Sequence, residues 1–325
     1  MLRVLAVGFS QTGQLSRLMD STLAPLVEAD NIELTRIDLE THREFPFPWS
    51  FFKFFDTMPE CVYEDAPAIE PDGIADDAEF DLVILSYQTW FLSPCPPIVS
   101  FLKSKMAARI IKDKPVITLI GCRNMWLMGQ EAIKERLDDL GGRLIDNVAL
   151  VDEAHAAYTF YSTPIWMLTG NKGPYFNGRV PKAGLTEEQI SDASRFGEAI
   201  VKQLPDRAPE DNSPMMAGLG AVKISPGLIA SEKVAKRNFR LWGGLMRKFG
   251  NPDALARKGI LIVYFTFLAI IVLTVMPILA VIKKLLTPFT KKKVANQIAY
   301  FARPSGEGRE LLNTELDDQL EKGTE

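Results

Sequence analysis

The chain has 325 residues, 47% of them hydrophobic, and a net charge of −4. That length carries one large domain or two small ones with ample core, and the charge balance gives no footing for nucleic-acid binding. Three cysteines, Cys61, Cys95 and Cys122, have neither metal-ligand spacing nor the density of a disulfide framework, so no metal site is expected and a reducing cytoplasm is the simplest compartment.

The first element is a short apolar strand, Val4 to Phe9, running directly into Ser10-Gln11-Thr12-Gly13-Gln14. A helix follows, with Leu15, Leu18, Leu23 and Leu26 at core-facing spacing. A strand, a small hydroxyl-bearing loop and a helix N-terminus form a phosphate cradle of backbone N–H groups. The loop lacks the Gly-Lys-Ser/Thr ending of a nucleoside-triphosphate loop and the three-glycine spacing of a dinucleotide turn. With no Lys or Arg inside it, hydroxyls and amides hold the phosphate, which suits a monophosphate such as FMN. An ordinary capped helix is the plain alternative.

Four more apolar runs read as buried strands: Ile32–Leu39, Phe80–Ser86, Pro115–Gly121 and Arg143–Asp152. Helical patterns occupy Pro96–Ala108, Trp126–Leu140 and Thr186–Leu204, the last opening on a hydroxyl cap and an acidic first turn. Alternation of this kind predicts a parallel sheet with right-handed crossovers. The expected fold is α/β, a flavodoxin-like three-layer sandwich over residues 1–205 with five parallel strands in the order 2-1-3-4-5. Its ligand should lie beyond the carboxyl ends of the strands.

Two aromatic excursions, 41–76 and 153–184, interrupt the pattern; long connections of this kind are often lids or binding loops. Residues 206–230, rich in Pro, Gly, Ser and Met, read as a linker. Residues 231–258 interleave Lys233, Lys236, Arg237, Arg240, Arg247 and Lys248 with Phe239, Leu241, Trp242 and Leu245, a basic amphipathic arm suited to anionic lipid. From Gly259 to Ile282 no residue is charged, which exceeds the ~20 residues needed to cross a bilayer core. The expectation is a transmembrane or membrane-embedded helix, with a hairpin or interfacial anchor as the alternative. Lys291-Lys292-Lys293 and an acidic tail complete the polar segment 283–325. With no secretory signal at the start, the catalytic domain is expected on the cytoplasmic side of the cytoplasmic membrane.

Three loops should meet around a flavin. Ser10, Gln11, Thr12, Gly13 and Gln14 take the phosphate. Tyr87, Gln88, Thr89, Trp90 and Phe91, after the third strand, offer aromatic faces and amides to the ring. Gly121, Cys122, Arg123, Asn124 and Trp126, after the fourth, place donors where charge develops on a reduced ring. His155, just past the fifth strand, is the candidate general base, with Tyr87 as a second. A histidine that merely packs or faces solvent is the plain alternative.

The loop at 10–14 resembles the FMN phosphate loop of flavodoxins and flavodoxin-like NAD(P)H oxidoreductases. The runs Pro46-Phe47-Pro48-Trp49-Ser50-Phe51-Phe52-Lys53-Phe54-Phe55-Asp56-Thr57-Met58-Pro59-Glu60 and Gly121-Cys122-Arg123-Asn124-Met125-Trp126-Leu127-Met128 are similar to a bacterial family of dialkylresorcinol-condensing enzymes that work beside a ketosynthase. The resemblance implies a flavodoxin-like fold and oxidation of a dialkyl cyclohexanedione to a dialkylresorcinol. Gln14 and Leu15 depart from the usual flavodoxin loop. The expected function is thus a membrane-tethered, FMN-dependent oxidoreductase of lipid or polyketide biosynthesis. Its partners would be a lipid-like substrate, the membrane, a ketosynthase and a second copy of the chain. Two alternatives stand beside it: an NAD(P)H-dependent quinone reductase or flavodoxin-type electron carrier, and a non-catalytic membrane scaffold for a ketosynthase.

Overall fold

The structure is a computed structural model that describes residues 1–41, 43–75, 77–275, 291–292 and 294–303. In chain order the elements are β1 (Leu2–Gly8), α1 (Gln14–Glu28), β2 (Ile32–Asp38), α2 (Phe51–Asp56), α3 (Met58–Val62), β3 (Leu82–Tyr87), β4 (Thr89–Trp90), β5 (Ser93–Pro94), α4 (Pro96–Leu102) and α5 (Lys105–Ile111). There follow β6 (Pro115–Cys122), α6 (Leu127–Asp139), β7 (Arg143–Val151), α7 (Ala156–Thr169), α8 (Glu187–Ser191), α9 (Ser194–Gln203), α10 (Pro226–Lys248) and α11 (Leu255–Ile270). A single π-turn, Ile271–Val275, continues α11, and residues 294–302 are again helical.

Five strands form one parallel sheet in the order β2-β1-β3-β6-β7. Within that sheet the strands are the second, first, third, fourth and fifth along the chain. The numbering departs from the expected 2-1-3-4-5 because a small antiparallel hairpin, β4–β5, intervenes after β3. The sequence reading took that hairpin for loop.

Strand side chains alternate between faces, and here both faces are covered. Val4, Ala6, Leu82, Ile84, Ile117 and Leu119 meet Leu15, Leu18 and Met19 of α1 and Phe196 and Ile200 of α9. Leu5, Val7, Val83, Leu85, Val116 and Ile120 meet Ile98 and Phe101 of α4, Ile110 of α5 and Ile133 of α6. Burial on both faces explains why the strands read as unbroken apolar runs. Two expected helices are each split in two: the Ser104 hydroxyl accepts from Ala107 N and starts α5, and Thr186 opens α8 with a full capping box that ends at Asp192.

The expected linker, 206–230, is packed structure. Asp146 on β7, fully buried, accepts hydrogen bonds from Met215 N at 2.6 Å and Met216 N at 3.2 Å. Ala149 N donates to Ala221 O, so this segment covers the free edge of β7. The basic arm is also built into the domain. Ile229 of α10 lies in the main core, and Met246 joins Met58, Val62, Leu261 and Tyr264 in a satellite core.

Among the described residues no helix is long and apolar enough to cross a membrane. Of the expected embedded segment 259–282, the part up to 275 is described, and its Leu261 and Tyr264 are buried against the domain. Residues 276–282, Lys293 and the tail beyond 303 lie outside the described residues.

Candidate functional site

The end of β1 is drawn tightly into the sheet. A Cβ on Gly8 would lie 2.6 Å from Met19 Sδ and 3.0 Å from Ser86 Cβ, so α1 and β3 close on this residue. The chain then turns through Gly13, whose φ of 76° is left-handed and around which an added Cβ would meet nothing within 4 Å. Gly13, the N-cap residue of α1, has no side chain with which to cap the helix. The first amides of that helix therefore face a cradle left open by the glycine, as an anion site needs.

The five loop residues divide by role. Ser10 Oγ is buried without a hydrogen-bond partner. Gln11 Nε2 donates to Pro46 O at 3.1 Å, tying the loop to the first excursion. The Thr12 hydroxyl accepts from Gln14 N at 3.4 Å. Gln14 turns its side chain inward: buried, its Oε1 accepts from Leu185 N at 3.0 Å, and Gly184 (φ 91°) passes so close that a Cβ there would overlap it. Gln14 serves the loop through its backbone. A longer side chain in place of the usual residue fills a gap under the second excursion.

Ser86 Oγ, Gln88 Oε1 and Trp49 Nε1 are also buried without partners. Ser86 pairs with Gly8 across the sheet, Gln88 stands two residues beyond it, and Trp49 packs on Trp90 at 5.7 Å. Orphaned buried polar groups are rare in folded proteins, and these gather with Ser10 about the carboxyl ends of β1 and β3. A polar ligand there would satisfy them: the two hydroxyls and the Trp49 N–H can donate to a phosphate or a ring acceptor, and Gln88 Oε1 can accept from a ring N–H, so the set fits a bound phosphate and its attached ring.

The loop after β3 divides as well. Tyr87 is fully buried, and its hydroxyl donates to Gln130 Oε1. Gln130 Nε2 in turn donates to Thr118 Oγ1, and Thr118 to Asn147 Oδ1, each at 2.9 Å. Burial holds this phenol well above its ordinary pKa. Tyr87 is a strand residue locked in an interior network, so the structure offers it no role as base. The Thr89 methyl fills the space that Gly129 of α6 leaves open. Trp90 stacks edge-on with Phe9 at 6.1 Å and Phe45 at 5.2 Å. Phe91 points elsewhere, into Phe54 at 4.8 Å and Phe239 at 5.7 Å.

Phe91 and Leu92 form the tip of β4–β5, both left-handed at φ 51° and 58°, as a two-residue I′ hairpin demands. Neither is glycine, so the turn is strained by about 1–2 kcal/mol per residue. Lys236 of α10 holds it: its Nζ donates to Leu92 O at 2.9 Å and to Ser93 Oγ. Burial lowers that amine's pKa to about 8.

After β6, a Cβ on Gly121 would come within 3.2 Å of Leu15, so this glycine lets α1 lie close. Burial pushes the Cys122 thiol up, which suits packing rather than nucleophilic attack. Arg123 Nε donates to Thr159 Oγ1 at 3.0 Å, and burial lowers its pKa. The Asn124 side chain accepts from Met125 N, itself left-handed at φ 58°. Trp126 is only 2% exposed and belongs to the main core, not to a stacking surface. His155 is exposed at the start of α7, its ring 6.0 Å from Tyr158, one turn before the Thr159 that holds Arg123.

The sequence reading missed three groups. Asp152 directly follows β7, and its carboxylate accepts from Ala154 N and Gly184 N, both at 2.9 Å, fixing the second excursion. Lys172 lies 4.6 Å over Trp166, which itself packs on Gly184, and feels the charge of Arg17 on α1. Glu232, 1% exposed on α10, accepts from Met128 N at 3.1 Å and so caps α6 from another helix. Burial raises its pKa to about 7. Of the three, Asp152 alone had a signal in the sequence, an acidic pair with Glu153 at the end of an apolar run.

No family model matches the chain, and no curated protein matches it. Among solved structures it is similar to a flavoprotein from Lactobacillus acidophilus NCFM in complex with FMN, at 18% identity over 46% of this chain and 93% of that one, TM-score 0.36. It is also similar to flavodoxin 1 from Bacillus cereus, at 14% identity over 62% and 98%, TM-score 0.34. An archaeal flavodoxin matches at 11% identity over 63% and 99%, TM-score 0.33. The flavodoxin-like arrangement rests on this chain's own sheet order and on the place of its first loop.

Proposed function

We propose that the chain is a membrane-tethered, FMN-dependent oxidoreductase that aromatises a dialkyl cyclohexanedione to a dialkylresorcinol, beside a ketosynthase that supplies the diketone. One observation carries the cofactor: an α1 N-terminus behind an open left-handed Gly13, with the orphaned Ser10 and Ser86 hydroxyls about it. Thr12 and the first amides of α1 would hold the phosphate, and Gln88 and Trp90 would face the ring. Bound FMN supplies a hydride acceptor. His155, the remaining candidate base, takes the proton next to a ketone carbonyl; loss of that proton and a hydride, followed by enolisation, gives the arene. Arg123, held by Thr159, places positive charge near the same loops. Phe45 and Phe47, half-buried on Trp49 and Trp166 respectively, would offer an apolar substrate its contacts.

A second reading has one observation in its favour. Trp90 is 7% exposed and already packed by Phe9, Phe45 and Trp49, so those rings must part to admit another. A scaffold that no longer binds flavin would look like this. The absorption spectrum of the purified full chain, with the released cofactor weighed by mass, separates the two. An FMN mass supports the enzyme; a colourless protein that also refuses added FMN leaves the scaffold. The full chain is needed because α10 contributes Glu232 and Lys236 to loops of the sheet domain. Reduction of the bound flavin by NAD(P)H would turn the reading toward a reductase or electron carrier.

A further inference from the structure

We propose that the face built by α2, α10 and α11 docks on one leaflet of an anionic bilayer and that the chain returns to the side from which it entered. The inference rests on the membrane tether of the proposed function and supplies its geometry.

Helix α11 is apolar on two opposite faces. Leu261 and Tyr264 are buried against the domain, whereas Ile262, Val263 and Ile270 are each more than half exposed and Leu273 is 77% exposed. Beside them, α2 exposes Phe51 and Phe52, and the Phe51 ring packs on Phe265 of α11 at 4.6 Å. Helix α10, whose Trp242 packs on Tyr264 at 5.1 Å, exposes Leu241 and Leu245 together with Arg237, Arg240 and Lys248. A contiguous apolar surface of this kind marks an interaction site. Interleaved cations select an anionic lipid surface.

Both ends of the apolar stretch are anchored to the same domain. On the near side Leu268 packs on the satellite core. On the far side Ile298 and Phe301 pack on the main core, Tyr300 OH donates to Glu131 at 2.7 Å, and Lys134 lies 4.6 Å over the Tyr300 ring. A single crossing would put these anchors on opposite sides of the membrane, which one domain forbids. Two crossings need about 40 residues, and only residues 269–297, roughly 30, lie between. Lys283 and Lys284 fall at the middle of that interval, where a deep hairpin would carry them into hydrocarbon. Docking of the exposed α2, α10 and α11 face on one leaflet, about 5–10 Å deep, is compatible with both anchors.

The test uses the full chain in a bacterial host, with Lys202→Cys on α9 or Asn296→Cys in the returning helix, both exposed positions. Each is labelled with a membrane-impermeant maleimide in right-side-out and in inverted vesicles, against the unsubstituted chain. Labelling of both positions only in the same vesicle type is expected. Labelling from opposite sides overturns the return. Recovery of the chain in the soluble fraction overturns the tether beneath it. Independently, Ile262→Glu with Leu273→Glu, at solvent-facing positions, should weaken sedimentation with phosphatidylglycerol vesicles at least tenfold while phosphatidylcholine vesicles bind poorly throughout. Undiminished binding of this variant overturns the docking face.

Discussion

Glu232→Gln isolates the energetic consequence of capping one helix with a carboxylate from another. Glu232 is nearly inaccessible and meets the N-terminus of α6 through Met128 N, and its pKa rises from 4.5 to about 7 because burial outweighs those amide bonds. Below the unfolded value both states are protonated and the group is neutral with respect to pH. Between about 4.5 and 7 the unfolded chain has lost the proton and the folded chain retains it, so stability falls as pH rises; above 7 the whole difference has been lost. At about 1.4 kcal/mol per unit, the deficit at pH 8 reaches ~3 kcal/mol. Glutamine keeps an acceptor for Met128 N and carries no charge. The variant should match wild type near pH 4.5 and exceed it by up to ~3 kcal/mol at pH 8. Urea unfolding of both full-length proteins in the same detergent at pH 5, 6, 7 and 8 provides the comparison. Parallel curves for the two proteins would refute the assignment of this titration to Glu232.

Gly197→Ala puts a Cβ 2.1 Å from Thr22 O and 2.9 Å from Pro25 Cδ; backbone cannot yield there, so α9 must lift from α1, at roughly 3 kcal/mol or more, read by thermal unfolding. Gly13→Ala meets no atom within 4 Å, so its stability loss is the left-handed backbone alone, about 1–2 kcal/mol; FMN affinity, measured by fluorescence quenching, should fall about tenfold, and unchanged affinity would move the phosphate elsewhere. Arg257→Ala leaves Asp56 and Glu60 without the guanidinium that lies 2.6 Å from each; about 3–5 kcal/mol of docking is lost, and amide exchange should become fast from Leu255 to Ile270 while β1 and β3 stay protected.

What could be read ahead was whatever is buried on both sides. Residues 82–85 and 115–120 have no polar face to disguise them, and the Thr186 capping box is local in sequence. What escaped reading depends on pairs far apart in the chain. Met215 and Met216 sit in a stretch composed like a linker, and only the Asp146 carboxylate, some seventy positions earlier, gives their amides a place. Glu232 and Lys236 look like solvated charges on an amphipathic helix, yet both are turned inward. Tyr87 reads from sequence as the first residue of the loop after the third strand, but β3 runs through it, and the Gln130–Thr118–Asn147 chain holds its hydroxyl in the interior.

Glu232 and Lys236 are one helical turn apart, yet they grip two different loops, the start of α6 and the tip of β4–β5. Two hinges bolted to one beam cannot swing out of step. Any displacement of α10 would reach both loops at once, with the same sign and with no relay of intervening side chains. The spacing of those two loops is then set outside the sheet altogether, by a helix added after the sandwich is complete.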